Sequence, residues 1–398
     1  MSRYHAYLRT AGDILAVYTG NEPFSIFLRR YFTLHKKHGS TDRKQISHLC
    51  YCFFRLGKAI PDVPVEKRIL AGLFLCSNTP NDLLGHLQPE WNENAGLSVQ
   101  EKLLIINYSL FITGIFPWPG ELSEGVDHEL FCQSFLVQPD LFLRLRPGYE
   151  ETVKQKLITA GIPFHAINPT CLALPNTAKA DTIISLDKEA VVQDLNSQQT
   201  GAMLKSGFRH PVSGIRVWDC CAASGGKSIM LHDLLGHPLL TVSDNRESIM
   251  AILRKRFAAA GITDYRYFVH DLTRPLPERF NTHFDLVIAD VPCTGSGTWS
   301  RTPEQLYFFD SKKIEQYTEL QRKILAHVIP RLGSGGYLFY ITCSVFKKEN
   351  EEQAAFIREK YGLEPVEEAT WRGYMKKADT MYAALFRKPL QADHFNGA

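Results

Sequence analysis

Hydrophobic residues recur at different spacings along the chain, and the changes of spacing predict three domains. Over residues 1–134, Leu, Ile, Phe and Cys return every three or four positions, which indicates packed amphipathic helices. Residues 135–190 combine strand-like alternation at 141–146 with one helix-like stretch, which predicts a small α+β element. Over residues 191–398, short apolar runs alternate with helical stretches. That alternation is typical of a doubly wound α/β domain with a parallel sheet.

Two cysteines follow apolar runs of strand length. Residues 284–290 and 337–342 are rich in aromatic and β-branched residues and are bounded by turn residues, as buried parallel strands are. Cys293 and Cys343 come just after these runs. Ligands of open α/β sheets bind beyond the carboxyl ends of the strands, so both thiols are expected to face one crevice. A lone buried cysteine is usually a small apolar filler, but two at strand ends favour nucleophilic catalysis.

A glycine-containing turn follows another predicted strand, residues 215–219, and leads into an amphipathic stretch that starts near Ile229. Backbone amides at such a helix start, together with the helix dipole, favour a negatively charged ligand group. A triphosphate-binding loop would need glycine where Cys221 stands, and the G-x-G-x-x-G pattern of dinucleotide loops is absent. The turn therefore indicates a ligand site, but neither of these two nucleotide-binding motifs.

At these motifs the chain resembles the Sun/Nop (RsmB-like) family of S-adenosylmethionine-dependent RNA cytosine-5 methyltransferases. Residues 219–227 are similar to the cofactor loop of the family, residues 290–293 to its fourth motif and residues 342–344 to its sixth. The chain departs from the family pattern at Ser224, where proline is usual, and at Thr294, where serine is common.

The resemblance implies a Rossmann-like class I methyltransferase domain preceded by a NusB-like helical domain and an RNA-recognition-like element. It also implies that S-adenosylmethionine is the cofactor. Strand-end position and a spacing of about 20 residues from the glycine turn favour ribose binding by Asp244, although a helix cap is the alternative. By resemblance Asp271 contacts adenine, with a turn residue as the alternative. The residues implied for the cofactor are Cys221, Ala222, Ala223, Ser224, Gly225, Gly226, Lys227, Asp244, Asp271 and Asp290.

The resemblance also assigns the catalytic roles. Carbon 5 of cytosine is a weak nucleophile, so Cys343 is expected to add to carbon 6 and push electron density across the ring. Asp290 then hydrogen-bonds the ring nitrogen, Cys293 assists proton loss and product release, and Lys227 holds Asp290. An exocyclic amino methyltransferase is a rival, but it would carry an aromatic residue after a double proline. The other alternative function is that of a non-catalytic RNA-binding or ribosome-assembly factor.

Composition bears on the partners. The net charge of the 398 residues is only +3, so contact with nucleic acid must come from local patches. Arg144, Arg146 and the basic segment 253–256 are candidates, as are Trp299, Phe308 and Phe309 for base stacking, although solvated arginines and core aromatics are the plainer interpretations. Structured RNA, expected to be ribosomal, is the predicted partner.

Nine cysteines without paired C-x-x-C spacing predict neither a disulfide framework nor a metal site, which fits a reducing compartment. No apolar signal core begins the chain and no run of 18 apolar residues occurs in it. These features predict a cytoplasmic protein with no membrane contact, which we expect to be a monomer.

Overall fold

The structure is a computed structural model, and it describes residues 2–106, 112–207, 214–278 and 280–390. The chain forms two compact units. The first comprises Met1–Leu122, Val126–Gln138 and Thr298–Asp310, and the second comprises Ser123–Gly125, Pro139–Gly297 and Ser311–Ala398. The three domain boundaries expected from the spacing stay a prediction.

The first unit is helical, as the three- and four-residue spacing predicts. Its helices are α1 (Arg3–Val17), α2 (Phe24–Leu34), α3 (Ser40–Arg55), α4 (Val65–Cys76), α5 (Asp82–Leu87), α6 (Pro89–Glu93), α7 (Val99–Ile105), α8 (His128–Ser134) and, from the third segment, α14 (Pro303–Phe308). Tyr307 of α14 packs against Phe53 and Phe54 of α3. The buried Glu304 carboxylate accepts from the amide of Phe24 at the start of α2. Helix α14 is therefore part of the core of this unit.

This core accounts for the aromatic residues considered for base stacking. Trp299 is fully buried against Phe116 and Phe309, and Phe309 also packs on Trp118. Phe308 is partly exposed but packs edge-on against a tyrosine of the same unit. The plainer interpretation, core packing, is therefore confirmed for Trp299 and Phe309.

The second unit contains two sheets. The smaller is antiparallel, with strand order β2-β3-β1-β4. Its elements are β1 (Leu141–Leu145), α9 (Glu150–Thr159), β2 (His165–Asn168), β3 (Cys171–Leu174) and β4 (Ala190–Val192). Leu143 and Leu172 face Val153 and Leu157 of α9 in one buried cluster, which explains the strand-like and helix-like spacing of this segment.

The larger sheet has seven strands in the order β10-β11-β9-β8-β5-β6-β7, and the predicted α/β fold is confirmed. Strands β5 to β9 pair in parallel, whereas β11 pairs antiparallel with β9 and β10. The elements are α10 (Leu195–Thr200), α11 (Leu204–Gly207), β5 (Arg216–Asp219), α12 (Gly226–Leu235), β6 (Leu239–Asp244), α13 (Glu247–Ala260), β7 (Tyr265–Val269), β8 (Phe284–Asp290), α15 (Lys312–Val328), β9 (Leu332–Thr342), α16 (Glu351–Tyr361), β10 (Glu364–Trp371) and β11 (Met381–Arg387).

The parallel strands bring their carboxyl ends to one edge of this sheet. β5 lies between β6 and β8, and β8 lies between β5 and β9. Apolar clusters cover the sheet on both faces: Ile229 and Leu253 belong to one, and Leu325 and Ile357 to the other. The ends of β5, β6, β8 and β9 therefore form a rigid platform for the residues that follow them.

Candidate active site

The structure brings together the two predicted cysteines. Asp290 at the end of β8 pairs with Ile341 of β9, so Cys293 and Cys343 leave neighbouring strands at the same level. Their Sγ atoms are 3.4 Å apart, and both side chains are partly exposed. Gly297 completes the turn, and its amide donates to the Cys343 carbonyl at 2.9 Å. A Cβ at Gly297 would lie 2.0 Å from a backbone oxygen, so only glycine fits there.

Neighbouring groups and burial perturb the pKa of the Cys293 thiol. The hydrogen bond to Cys343, followed by burial and by the charges of Cys343 and Glu349, raises the pKa of Cys293 well above its ordinary value. In the resting site Cys293 therefore keeps its proton and is hydrogen-bonded to Cys343.

A buried carboxylate ties together the loops that carry these thiols. Glu349 accepts from the amide and hydroxyl of Thr294, at 2.9 and 2.6 Å, and from the hydroxyl of Ser344. Gln321 of α15 donates to the same carboxylate at 3.2 Å. Burial raises the pKa of Glu349, although these donors act against the shift. We call Glu349, Thr294, Ser344 and Gln321 the Glu349 network.

Lys227 and Asp290 form an ion pair beside the thiols. The Lys227 ammonium, in the first turn of α12, donates to the Asp290 carboxylate at 2.6 Å. Burial lowers the pKa of Lys227, but the charge and hydrogen bond of Asp290 outweigh it, so the pKa is raised overall. Lys227 therefore stays charged, and it holds Asp290 as predicted.

The predicted cofactor loop lies between β5 and α12. Ala222 donates its amide to the Ser243 carbonyl of β6, and the Ala223 amide donates to the Asp244 carboxylate at 3.1 Å. Gly225 has φ +83°, and a Cβ there would lie 2.7 Å from the Phe257 ring. A glycine is therefore required where the loop passes over α13.

The two predicted cofactor aspartates have different surroundings. Asp244 is buried at the end of β6, and its carboxylate also accepts from the backbone and guanidinium of Arg246 just before α13. Asp271 accepts from the amide and hydroxyl of Thr273, and these hydrogen bonds lower its pKa. Asp271 thus has the turn role considered as its alternative. Its contact with adenine stays a prediction, as does ribose binding by Asp244.

Sequence reasoning did not include Asp219 among the site residues. Its side chain is buried at the end of β5, where burial raises its pKa to about 7. One oxygen accepts from Ser228 at 2.5 Å, and the other has no hydrogen-bond partner among the described residues. An unpartnered carboxylate oxygen beside the loop suits a ligand with positive charge, such as a sulfonium cofactor.

The arginines considered for phosphate contact have another role. Arg144 of β1 and Arg146, just after β1, both pair with Asp233 of α12, at 2.6 and 2.8 Å, and all three side chains are largely buried. Their strand alternation had suggested exposed side chains, but the partner lies on a distant helix. Phosphate binding by these two residues is therefore wrong.

Within the described part of the chain, no group of three or more His, Cys, Asp or Glu residues is arranged to hold a metal ion. The helices described there include none with the length and apolarity needed to span a membrane.

The comparisons with known proteins agree with this geometry. Residues 208–387 match the family model described as 16S rRNA methyltransferase RsmB/F. A probable ribosomal RNA small subunit methyltransferase B of Synechocystis sp. is 28% identical, covering 71% of this chain and 64% of the relative. Ribosomal RNA small subunit methyltransferase B of Xylella fastidiosa is 31% identical, covering 59% and 54%. The chain thus spans less than two thirds of the length of these curated relatives.

Solved structures share the fold. The crystal structure of PH0851 has a TM-score of 0.67 at 20% identity, covering 90% of this chain and 93% of that one. NSun6 from Pyrococcus horikoshii, solved with SFG, has a TM-score of 0.58 at 14% identity, covering 66% and 94%. The family match confirms the predicted family and, with it, the predicted S-adenosylmethionine cofactor. Residues 208–387 are therefore similar to the RsmB/F family of 16S rRNA methyltransferases.

Proposed function

We propose that this protein methylates carbon 5 of a cytosine in structured ribosomal RNA, through a covalent bond between the base and Cys343. The observation that carries the proposal is the 3.4 Å separation of the Cys293 and Cys343 sulfur atoms, beside the Lys227–Asp290 ion pair. The curated relatives are named as methyltransferases of small-subunit ribosomal RNA, and these names support the choice of substrate.

The cofactor loop fits S-adenosylmethionine by charge and shape. Residues 221–226 would surround it at the start of α12, with Asp244 toward the ribose. One carboxylate oxygen of Asp219 has no hydrogen-bond partner among the described residues, and a positively charged ligand group would stabilise it. When bound, S-adenosylmethionine supplies a methyl group on a positively charged sulfur.

Cys343 begins the reaction. Its thiolate adds to carbon 6 of the cytosine, and the electron pair displaced from the ring double bond makes carbon 5 nucleophilic. Asp290 hydrogen-bonds the ring nitrogen on which this charge develops, and Lys227 holds Asp290 in place. Carbon 5 then takes the methyl group. The base must leave its stack for this attack, which favours a loop or other unpaired segment of RNA.

Cys293 completes the reaction because its electrostatics change when the adduct forms. The hydrogen bond and charge of Cys343 are among the causes that raise the pKa of Cys293. Once the Cys343 sulfur is bonded to carbon it carries neither a charge nor a proton, so these two causes no longer oppose ionisation of Cys293. Once Cys293 has lost its own proton to solvent, its thiolate can take the proton from carbon 5. The electron pair of the broken C–H bond then re-forms the ring double bond and expels Cys343 as thiolate.

RNA bisulfite sequencing tests the reaction and identifies the substrate. Small-subunit ribosomal RNA is compared from cells with the protein, without it, and with Cys343→Ala in its place. We expect one or a few cytosines to be protected from conversion only by the unaltered protein. Binding of ribosomal RNA without any protected cytosine would instead favour the non-catalytic RNA-binding alternative.

A further inference from the structure

The cofactor loop carries serine at a position where the resemblance leads one to expect proline. Both oxygens of Ser224 accept from a single guanidinium nitrogen of Arg256 on α13, the carbonyl at 3.0 Å and the hydroxyl at 2.8 Å. Proline fixes its own φ angle, whereas serine leaves it free. Two hydrogen bonds from Arg256 thus restrain the loop at the position where the ring of a proline would restrain it.

Arg256 is itself held in place. Its remaining nitrogens donate to both oxygens of Asp187, at 2.7 to 3.0 Å, and both side chains are largely buried. Such a paired arrangement fixes the plane of the guanidinium as well as its position.

Asp187 is anchored in turn by its backbone. It has φ +65°, its amide donates to the Ala190 carbonyl at 2.8 Å, and its carbonyl accepts from Arg146 at 3.0 Å. Arg146 is paired with the buried Asp233. The restraint on Ser224 therefore runs through Arg256 and Asp187 into the ion-pair cluster between the small sheet and α12.

The loop needs such a restraint because it is strained. Ala223, just before Ser224, has φ +45°, a left-handed conformation that is uncommon for residues other than glycine. Ala223 also gives its amide to Asp244, so a shift of Ser224 would displace a contact of the predicted ribose site.

We propose that Arg256 and Asp187 are positioning residues that hold the cofactor loop in its binding conformation, with their hydrogen bonds to Ser224 replacing proline. The inference rests on the proposed binding of S-adenosylmethionine by this loop. It extends that function to residues on α13 and in the turn before β4, outside every motif of the resemblance.

The first test is calorimetry of the full chain with S-adenosylmethionine. Arg256→Ala is expected to weaken binding about tenfold or more, as losing charge-assisted hydrogen bonds does. Lys255→Ala, which removes the neighbouring exposed charge on α13, should bind as the unaltered protein does. Asp187→Asn keeps a residue that tolerates positive φ, and it should weaken binding by a smaller factor. The KM for S-adenosylmethionine should rise, with kcat at saturation and RNA affinity unchanged.

The second test uses the serine itself. In a Ser224→Pro background the loop is restrained by the ring, so adding Arg256→Ala should weaken binding less than threefold. The inference would be overturned if Arg256→Ala weakened cofactor binding equally with Ser224 and with Ser224→Pro. Normal cofactor binding by Arg256→Ala alone would also overturn it. If Arg256→Ala does not fold, the comparison of Asp187→Asn with and without Ser224→Pro decides in the same way. Failure of the unaltered protein to bind would instead contradict the proposed function.

Discussion

Replacing Glu349 should separate the two catalytic loops. The carboxylate is fully buried and links Thr294, one residue after Cys293, to Ser344, one residue after Cys343. In Glu349→Ala the hydroxyl groups can turn toward each other, because Thr294 and Ser344 oxygens lie 3.2 Å apart. The Thr294 amide loses its hydrogen bond to the carboxylate.

The size of the effect follows from these contacts. Losing the hydrogen bonds to this buried carboxylate costs about 1–3 kcal/mol, and the lost side-chain volume adds about 1 kcal/mol or more. Burial raises the pKa of Glu349, so removing the charge returns part of this cost. We expect Glu349→Ala to lower the free energy of unfolding by about 2–4 kcal/mol. Glu349→Gln, which keeps one acceptor oxygen, should lose about half as much.

Urea unfolding measures the stability, and methyl transfer to ribosomal RNA measures the function. A shift of about 1 Å in a catalytic group can cost about a hundredfold in rate, so the activity of folded Glu349→Ala should fall by about that factor. Glu352→Ala is the matched control, because it removes an exposed carboxylate three residues along the chain. Unchanged stability, or full activity in a destabilised protein, would refute the role of the network.

Three further substitutions test other parts of the site. Burial raises the pKa of Asp219 from 3.8 to about 7. Ionising this carboxyl should therefore cost about 4 kcal/mol of folding stability as the pH rises from about 4 to 7. Asp219→Asn should remove this pH dependence of stability in urea titrations, and an equal pH dependence in both proteins would contradict the reasoning. Gly225→Ala should weaken S-adenosylmethionine binding in calorimetry about tenfold, whereas Gly261→Ala, with similar φ but open space, should not. Asp233→Ala should lower the free energy of unfolding by about 3–5 kcal/mol because two arginines lose a buried partner. Asp285→Ala, which removes a partly exposed ion pair, should lower it by less than about 1 kcal/mol.

Strands that form a continuous buried hydrophobic stretch between turn residues could be predicted from the sequence. The strands at Phe284–Asp290 and Cys171–Leu174 match their apolar runs to the residue, because burial on both faces leaves a continuous hydrophobic stretch. His165–Asn168 is fully exposed and Glu364–Trp371 carries three glutamates, so neither strand has such a pattern. Both lie at sheet edges, where pairing with one neighbour decides the conformation.

Some residues of the site could likewise be predicted from the sequence, and others could not. Cys293, Cys343 and Lys227 follow strands or begin a helix, so their meeting could be predicted from topology. The role of Glu349 could not, because its partners Thr294 and Gln321 lie 55 and 28 positions away. Arg144 alternates like an exposed strand residue, yet its partner is 89 positions distant. Such long-range pairs leave no local signal in a single sequence.

Denaturing electrophoresis of enzyme mixed with labelled small-subunit ribosomal RNA tests the cysteine chemistry directly. Cys293→Ala, which can attack but not resolve the adduct, should give a protein–RNA species that survives denaturation and requires S-adenosylmethionine. Cys343→Ala should give neither adduct nor methyl transfer, and adding Cys343→Ala to Cys293→Ala should abolish the adduct. An adduct formed by Cys343→Ala but not by Cys293→Ala would reverse the two roles. Full activity of both single variants would contradict catalysis through cysteine.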